Sequence, residues 1–253
     1  MPNNRLQTIS RRLRQPFNAG YASRRLREYH AQARSLDDVV HWAMHFGGGG
    51  YMRVKTLQIR EEITALAERV AALAPRRILE IGTASGGTAL IWAYLARDQV
   101  VSCDLQDMRF QASLFERFPP PGSACRVQLL SGDSHDAAFR ARVAETLEGE
   151  SVDFLFIDGD HTEAGVTQDY LDYRAFVRPG GLIGFHDIVE SQPLVTNQVF
   201  HLWKRLKPLA ECEELVADRD QCGFGIGVMR VPEGGAPDLP PRDVPRTAEG
   251  EAP

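Results

Sequence analysis

A chain of 253 residues, 43% hydrophobic and 25% charged, has the length for one α/β domain with a buried core, and this composition excludes wholesale disorder. Its formal charge of −5 is uneven: residues 1–34 hold eight Arg against a single Glu, Glu28, so the acidic remainder argues against a core that binds nucleic acid. No run approaches the roughly 18 apolar residues of a membrane span, and no apolar stretch follows the first arginines to make a secretory signal.

Residues 1–45 read as mostly helical, with Leu6, Ile9, Leu13 and Phe17 at helical spacing among the arginines, Leu26 and Tyr29 continuing that face, and Pro16 breaking or kinking it. Such an arm suits a membrane surface or an anionic partner, or else a lid or dimer-packing element with solvated arginines. Gly47-Gly48-Gly49-Gly50 is expected to be a mobile joint, either a hinge over a site or a plain loop. From Lys55 to Leu73 a helix carries Ile59, Ile63, Leu66, Val70 and Leu73 on one face.

Alternating elements follow. Strands are expected near 78–82, 99–104, 126–130, 153–158 and 181–186, and helices near 86–96, 109–117, 136–147, 163–176 and 194–206. This order predicts a Rossmann-like, doubly wound sheet. The segments 211–216 and 224–231 predict an antiparallel hairpin closing it, and residues 232–253, with six prolines, predict a disordered tail. Cys103, Cys125, Cys212 and Cys222 show no paired spacing and read as reduced thiols of a cytoplasmic protein.

The stretch Ile78 to Trp92 joins a short apolar strand to a helix through glycines. Gly82 permits a tight turn, and Gly86 and Gly87 let the backbone approach a ligand. The glycines fall as G-x-x-x-G-G behind Glu80, which is not the G-x-G-x-x-G of dinucleotide sites. That spacing disfavours a nicotinamide dehydrogenase. It suits S-adenosylmethionine, which has no phosphates and carries an ammonium group that Glu80 would attract.

Four carboxylates then fall where strands end, the edge at which open α/β sheets bind ligands. Asp104 lies where an acid accepts both ribose hydroxyls, and Asp133, in Ser131-Gly132-Asp133-Ser134, is within reach of an adenine amino group. Asp158 and Asp187 end the next two strands. Any one of them reads as a helix N-cap, but four in register exceed what capping explains. His135, beside Asp136, reads as a helix start before it reads as a site residue.

On Leu79-Glu80-Ile81-Gly82-Thr83, on Ser131 to Asp136, and on Ile157-Asp158-Gly159-Asp160-His161, Arg178-Pro179-Gly180-Gly181 and His186-Asp187-Ile188, residues 55–231 resemble class I S-adenosylmethionine-dependent methyltransferases. They are most similar to the subgroup of metal-dependent macrolide-sugar O-methyltransferases and cephalosporin-hydroxylase-like proteins. The resemblance implies a cofactor site at Glu80, Gly82, Thr83, Ser85, Gly86, Asp104, Asp133 and Ser134. It also implies Asp158, His186 and Asp187 at a divalent metal, Mg²⁺ or Mn²⁺, with His161 as general base beside Asp158. The sequence departs from the subgroup at His186, where an acid is usual; either the metal is softer, such as Mn²⁺ or Fe²⁺, or water replaces this ligand.

The implied reaction is methyl transfer to a hydroxyl of a small molecule, a sugar or natural product, by a chain that pairs into a homodimer through its arm. The rival expectations are a metal-independent methyltransferase using His161 alone and a non-catalytic binding module. The expected organisation is an arm or lid over 1–54, the methyltransferase domain over 55–231 and the tail over 232–253.

Overall fold

A computed structural model of the chain describes residues 5–240. Alternating apolar residues build the strands β1 (Arg77–Ile81), β2 (Gln99–Asp104), β3 (Arg126–Ser131), β4 (Val152–Ile157) and β5 (Val177–His186), all parallel, followed by β6 (Cys212–Leu215) and β7 (Ile226–Arg230). They form one sheet in the order β3-β2-β1-β4-β5-β7-β6, with β7 antiparallel to both of its neighbours. The expected doubly wound sheet and closing hairpin are both present.

Because successive strand residues point to opposite faces, the sheet feeds two cores. Ile78, Val100, Phe154 and Phe156 face one side and pack with α1 (Arg5–Gln32), α2 (Leu36–His45), α3 (Arg60–Ala72), α4 (Gly87–Leu95) and α5 (Ala112–Phe115). Leu79, Val101, Leu155 and Phe185 face the other and pack with α6 (Ala137–Thr146), α7 (Glu163–Tyr173) and α8 (Val199–Leu206).

Several expected boundaries move. α1 runs through Pro16 without a break, so the lost amide donor does not end the helix here. Its Leu26 and Tyr29 are buried in this chain's own core, whereas Phe17 is exposed; the side chains of Leu6, Ile9 and Leu13 lie outside the described set. Arg25, one of the arm's arginines, donates to the carbonyls of Phe46 (3.0 Å) and His45 (3.2 Å) and lies over the Trp42 ring. It thereby caps the C-terminus of α2, where a cation is favoured.

The four-glycine run is a closed turn, not an open joint: Gly47 and Val54 exchange backbone hydrogen bonds around a 3₁₀ turn at Gly50–Met52. The helix expected from Lys55 starts only at Arg60, because residues 54–58 run across toward the sheet edge, where Gln58 reaches Asp158. The expected 194–206 helix starts at Val199, since Asn197 bends toward Asp187.

The tail expected from 232 does not leave the domain there. Pro237 O accepts from the Tyr170 hydroxyl at 2.6 Å, Arg174 holds Ala236 and Asp238, and Arg205 donates to Pro240 O. Its prolines exclude regular structure, yet their carbonyls remain good acceptors for α7 and α8. Residues 241–253 of that expectation lie outside the described residues.

Glu62 of α3, fully buried, ties this helix to the loop between β6 and β7. Its carboxylate accepts from Ala217 N (3.1 Å), Gln221 Nε2 (2.8 Å) and Gly225 N (2.9 Å). Glu62→Ala leaves three donors without an acceptor and is expected to cost about 2–4 kcal/mol of stability. Urea unfolding of variant and parent checks this; equal midpoints would show that the loop re-satisfies its own donors.

Candidate active site

β1 is flanked by β2 on one side and β4 on the other, so the order of strands reverses there and a crevice opens at their carboxyl ends. A cavity of about 670 Å³ occupies it, lined from Gly82 and Ala84 past Asp104, Asp133 and Ser134 to Asp158 and His161.

Gly82 has φ +102°, and a Cβ on it would sit 2.1 Å from Asp158 O; the turn after β1 therefore packs directly on the turn after β4. The Ala84 amide donates to Asp104 Oδ2 at 2.7 Å and the Gln106 amide to Oδ1 at 2.8 Å, which fixes the carboxylate at the rim while leaving lone pairs toward the cavity. Asp133 is more exposed and accepts from the His135 amide. None of Asp104, Asp133, Asp158 and Asp187 is a helix N-cap: the helices after the strand ends have Gly86, Gln111, Asp136, Thr162 and Gln198 as their N-caps. His135 lines the cavity and also bonds inward, to Gly165 O and the buried Asp169.

Four expected cofactor contacts are not among the residues lining the cavity. Glu80 alternates away from Leu79 and Ile81 and is fully buried, accepting from Trp92 Nε1 at 2.8 Å and from the Ser102 hydroxyl. Burial raises its carboxyl to about 7 against these hydrogen bonds. Both oxygens are engaged in the core, so in this structure Glu80 supports the turn and does not line the cavity. Thr83 bonds Ser102 at 2.6 Å, and Gly86 packs against the Phe115 ring. Ser85 is half-buried and outside the lining.

At the far end of the cavity Asp158, His161, His186 and Asp187 come together, each offering a ligand atom within 4.8 Å of the others. Asp158 Oδ1 lies 3.0 Å from His186 Nδ1 and 3.3 Å from His161 Nε2, while Asp187 lies 3.5 and 3.4 Å from the same two nitrogens. Burial would raise the Asp158 carboxyl, but the imidazoles overcome it and hold it at about 2. Burial would lower His186, but Asp158 and then Asp187 bring it to about 9. The hydrogen bond to Asp158 also raises His161, against its partial burial. Asp187 is held in the left-handed region (φ +64°) by bonds from Asn197 Nδ2 (2.6 Å) and Phe224 N (3.1 Å), a strain of the kind that persists where neighbours over-determine it.

Sequence reasoning misses Gln58 and Asn197, the two amides that orient the carboxylates, and Thr196 at the cavity wall. Neither amide lies in a motif, and both fall in the first residues of segments expected to be helical, 55–73 and 194–206, where the helices start only at Arg60 and Val199. The cluster's donor set of two carboxylates and two imidazoles, with His186 Nε2 buried and unpartnered, fits a divalent cation.

With this geometry established, comparison with known proteins is direct. Residues 79–188 match the model of a family described as a methyltransferase domain. The chain is thus similar to a methyltransferase domain over residues 79–188. Its fold is that of the class I S-adenosylmethionine-dependent enzymes.

Among solved structures it resembles the MycE methyltransferase of the mycinamycin biosynthetic pathway, in complex with Mg, S-adenosylhomocysteine (SAH) and mycinamycin VI. The TM-score is 0.56 at 18% identity, over 83% of this chain and 58% of MycE. A Staphylococcus aureus protein inferred to be a caffeoyl-CoA O-methyltransferase aligns with a TM-score of 0.52 at 17% identity, over 69% of this chain and 85% of its own. An O-methyltransferase from Bacillus cereus in complex with SAH aligns at 0.48 and 20%, over 66% and 79%. At these identities the likeness is one of fold, and this chain spans little more than half of MycE. No curated protein matches in sequence.

The Asp158–His186 pair sets a pH window for stability of the protein. His186 is raised, so its contribution is complete below its ordinary 6.5 and lost as pH rises through about 9. Asp158 is depressed, so its contribution is complete above 3.8 and lost as pH falls through about 2. The pair therefore stabilises most between about pH 4 and 6.5. Denaturation of metal-free protein at about pH 6 and 9.5 is expected to show an alkaline loss that is smaller in His186→Asn. An identical loss in both proteins would assign it to other groups.

Proposed function

We propose that this methyltransferase transfers the methyl group of S-adenosylmethionine to a hydroxyl oxygen of a small molecule, a sugar or natural product, with a divalent cation at Asp158, His186 and Asp187 and with His161 as general base. The observation that carries this reading is the continuity of one cavity from Asp104 and Asp133 to Asp158 and His161. The fold supports a cofactor at the first end, and the buried acidic cluster supports oxygen chemistry at the second. MycE, which shares the fold, was solved with Mg and SAH. In this reading residues 1–54 serve as an arm beside the domain at 55–231.

The residues divide the work. Asp104, with both oxygens oriented by backbone amides, would accept the two ribose hydroxyls, and Asp133 and Ser134 would meet the adenine. Gly82 lets the β1 turn pack directly on the β4 turn that carries Asp158. A cation at Asp158, His186 and Asp187 would lower the pKa of a bound hydroxyl and fix its position. His161 is 42% exposed at its side chain against 6% for His186, and it lines the cavity. It is therefore placed to take the hydroxyl proton at Nε2, while His186 stays behind it. As the oxygen–methyl bond forms, the carbon–sulfur bond breaks and its electrons neutralise the sulfonium. Among the described residues no helix is long and apolar enough to cross a membrane.

Three outcomes test this reading. Asp104→Ala is expected to weaken SAH binding by roughly 1–3 kcal/mol in calorimetry, the cost of unpaired charge-assisted bonds; unchanged affinity in a folded variant removes the cofactor assignment. His161→Ala is expected to lower kcat by about 10²–10⁴ and to abolish the acidic limb of the pH–rate profile, with SAH affinity retained. Chelation is expected to stop turnover on a panel of hydroxyl acceptors and spare SAH binding, and full turnover after exhaustive chelation would leave His161 acting alone.

A further inference from the structure

The cluster contains one buried imidazole that has no task elsewhere in the fold. His186 Nδ1 is 3.0 Å from Asp158 Oδ1 and 3.5 Å from Asp187 Oδ1, and its other nitrogen is buried without a hydrogen-bond partner. A buried imidazole with an empty nitrogen costs stability, so its polar chemistry is directed at the two carboxylates alone. The carboxylates are themselves restrained. Gln58 Nε2 takes Asp158 Oδ2 at 2.8 Å, which turns Oδ1 toward the imidazoles, and Asn197 Nδ2 takes Asp187 Oδ2 at 2.6 Å. Asp187 Oδ1, which also accepts from Phe224 N at 3.1 Å, and Asp158 Oδ1 are the oxygens nearest His186 Nδ1, and Asp158 lines the cavity.

We infer that this triad selects a first-row transition cation such as Mn²⁺, Fe²⁺ or Co²⁺ over Mg²⁺, with His186 as its nitrogen ligand and His161 outside the ligand set. Mg²⁺ demands a nearly regular octahedron of oxygens and retains its waters, so replacing a carboxylate by an imidazole removes part of its affinity. Imidazole suits the later divalent ions, whose affinity for nitrogen rises along the series. His161, half-open to the cavity, is left free for a proton. The inference rests on the proposed methyl-transfer reading only for what the cation does, not for which cation binds.

The test uses the purified chain, stripped of metal and titrated separately with Co²⁺ and Mg²⁺ by calorimetry. Any site with oxygen ligands favours Co²⁺ to some degree, so the deciding quantity is the change in the Co²⁺/Mg²⁺ affinity ratio. His186→Glu, which restores an all-oxygen set, is expected to reduce that ratio by at least about tenfold.

Proton spectra of the Co²⁺ protein supply a second readout should this buried variant fail to fold. The wild type is expected to show one paramagnetically shifted imidazole N–H, retained in His161→Ala. An unchanged ratio in folded His186→Glu, no shifted imidazole signal in the wild type, loss of the signal in His161→Ala, or no binding of either metal would each overturn the inference. SAH binding, measured on the same samples, reports separately on the methyltransferase reading. Its presence with no metal bound removes the cation inference alone, and its absence beside an intact Co²⁺ signal removes the methyltransferase reading alone.

Discussion

The close approach of the β1 turn to the β4 turn governs this site. Asp158 N donates to Ile81 O at 2.8 Å, and Asp158 O lies where any side chain at position 82 would have to go. Two backbones this close leave room for glycine alone, and they put a carboxylate at the reversal point of the sheet with little water around it. A buried carboxylate has to be answered by the protein. Gln58 answers one oxygen of Asp158, and His186 and His161 answer the other. The shape of the crevice and the charge at its end therefore follow from one contact between two turns.

Support for that contact comes largely from outside the span that matches the methyltransferase family. Gln58 reaches Asp158 from the segment before α3, and Glu62, in the first turn of α3, holds the loop that ends at Gly225. That loop delivers the Phe224 amide to Asp187. The antiparallel strands β6 and β7 thus close the sheet, and their connection also braces the second carboxylate. A change in the N-terminal segment would be felt at the cluster through side-chain hydrogen bonds, without altering any residue that faces the cavity.

How much of this was legible in the sequence depended on whether a residue's role is local or long-range. Strand ends were readable because apolar alternation stops where an acid begins, and Asp104, Asp158 and Asp187 stand within a residue of those ends. Gly82 was readable because positive φ is written in the residue type. Glu80 misled because its place in the motif says nothing of the Trp92 and Ser102 partners that hold it in the core. Gln58 and Asn197 were silent because both fell at the start of segments read as helix, where an amide has the same local signature whether it faces solvent or a carboxylate. Pro237 and Pro240 misled in the opposite sense: proline forbids a strand or helix there, but it does not prevent its carbonyl from accepting a bond from Tyr170 or Arg205.

Burial is what separates the two histidines of the cluster. Both lie within 3.5 Å of the same two carboxylates, so distance does not distinguish ligand from base. His186 ends the buried strand β5, and its Nε2 is buried without a hydrogen-bond partner. His161 sits on the turn before α7, at the cavity wall, and its carbonyl is held by the Gln198 amide at 2.7 Å. A base must be rigid in position yet open to its substrate and to water for the return of its proton. A ligand gains from being closed off, because exclusion of water strengthens its hold on a charge. The same two side chains at the same distance are thus fitted to different tasks by the elements that carry them, a strand interior for one and a loop anchored to the start of α8 for the other.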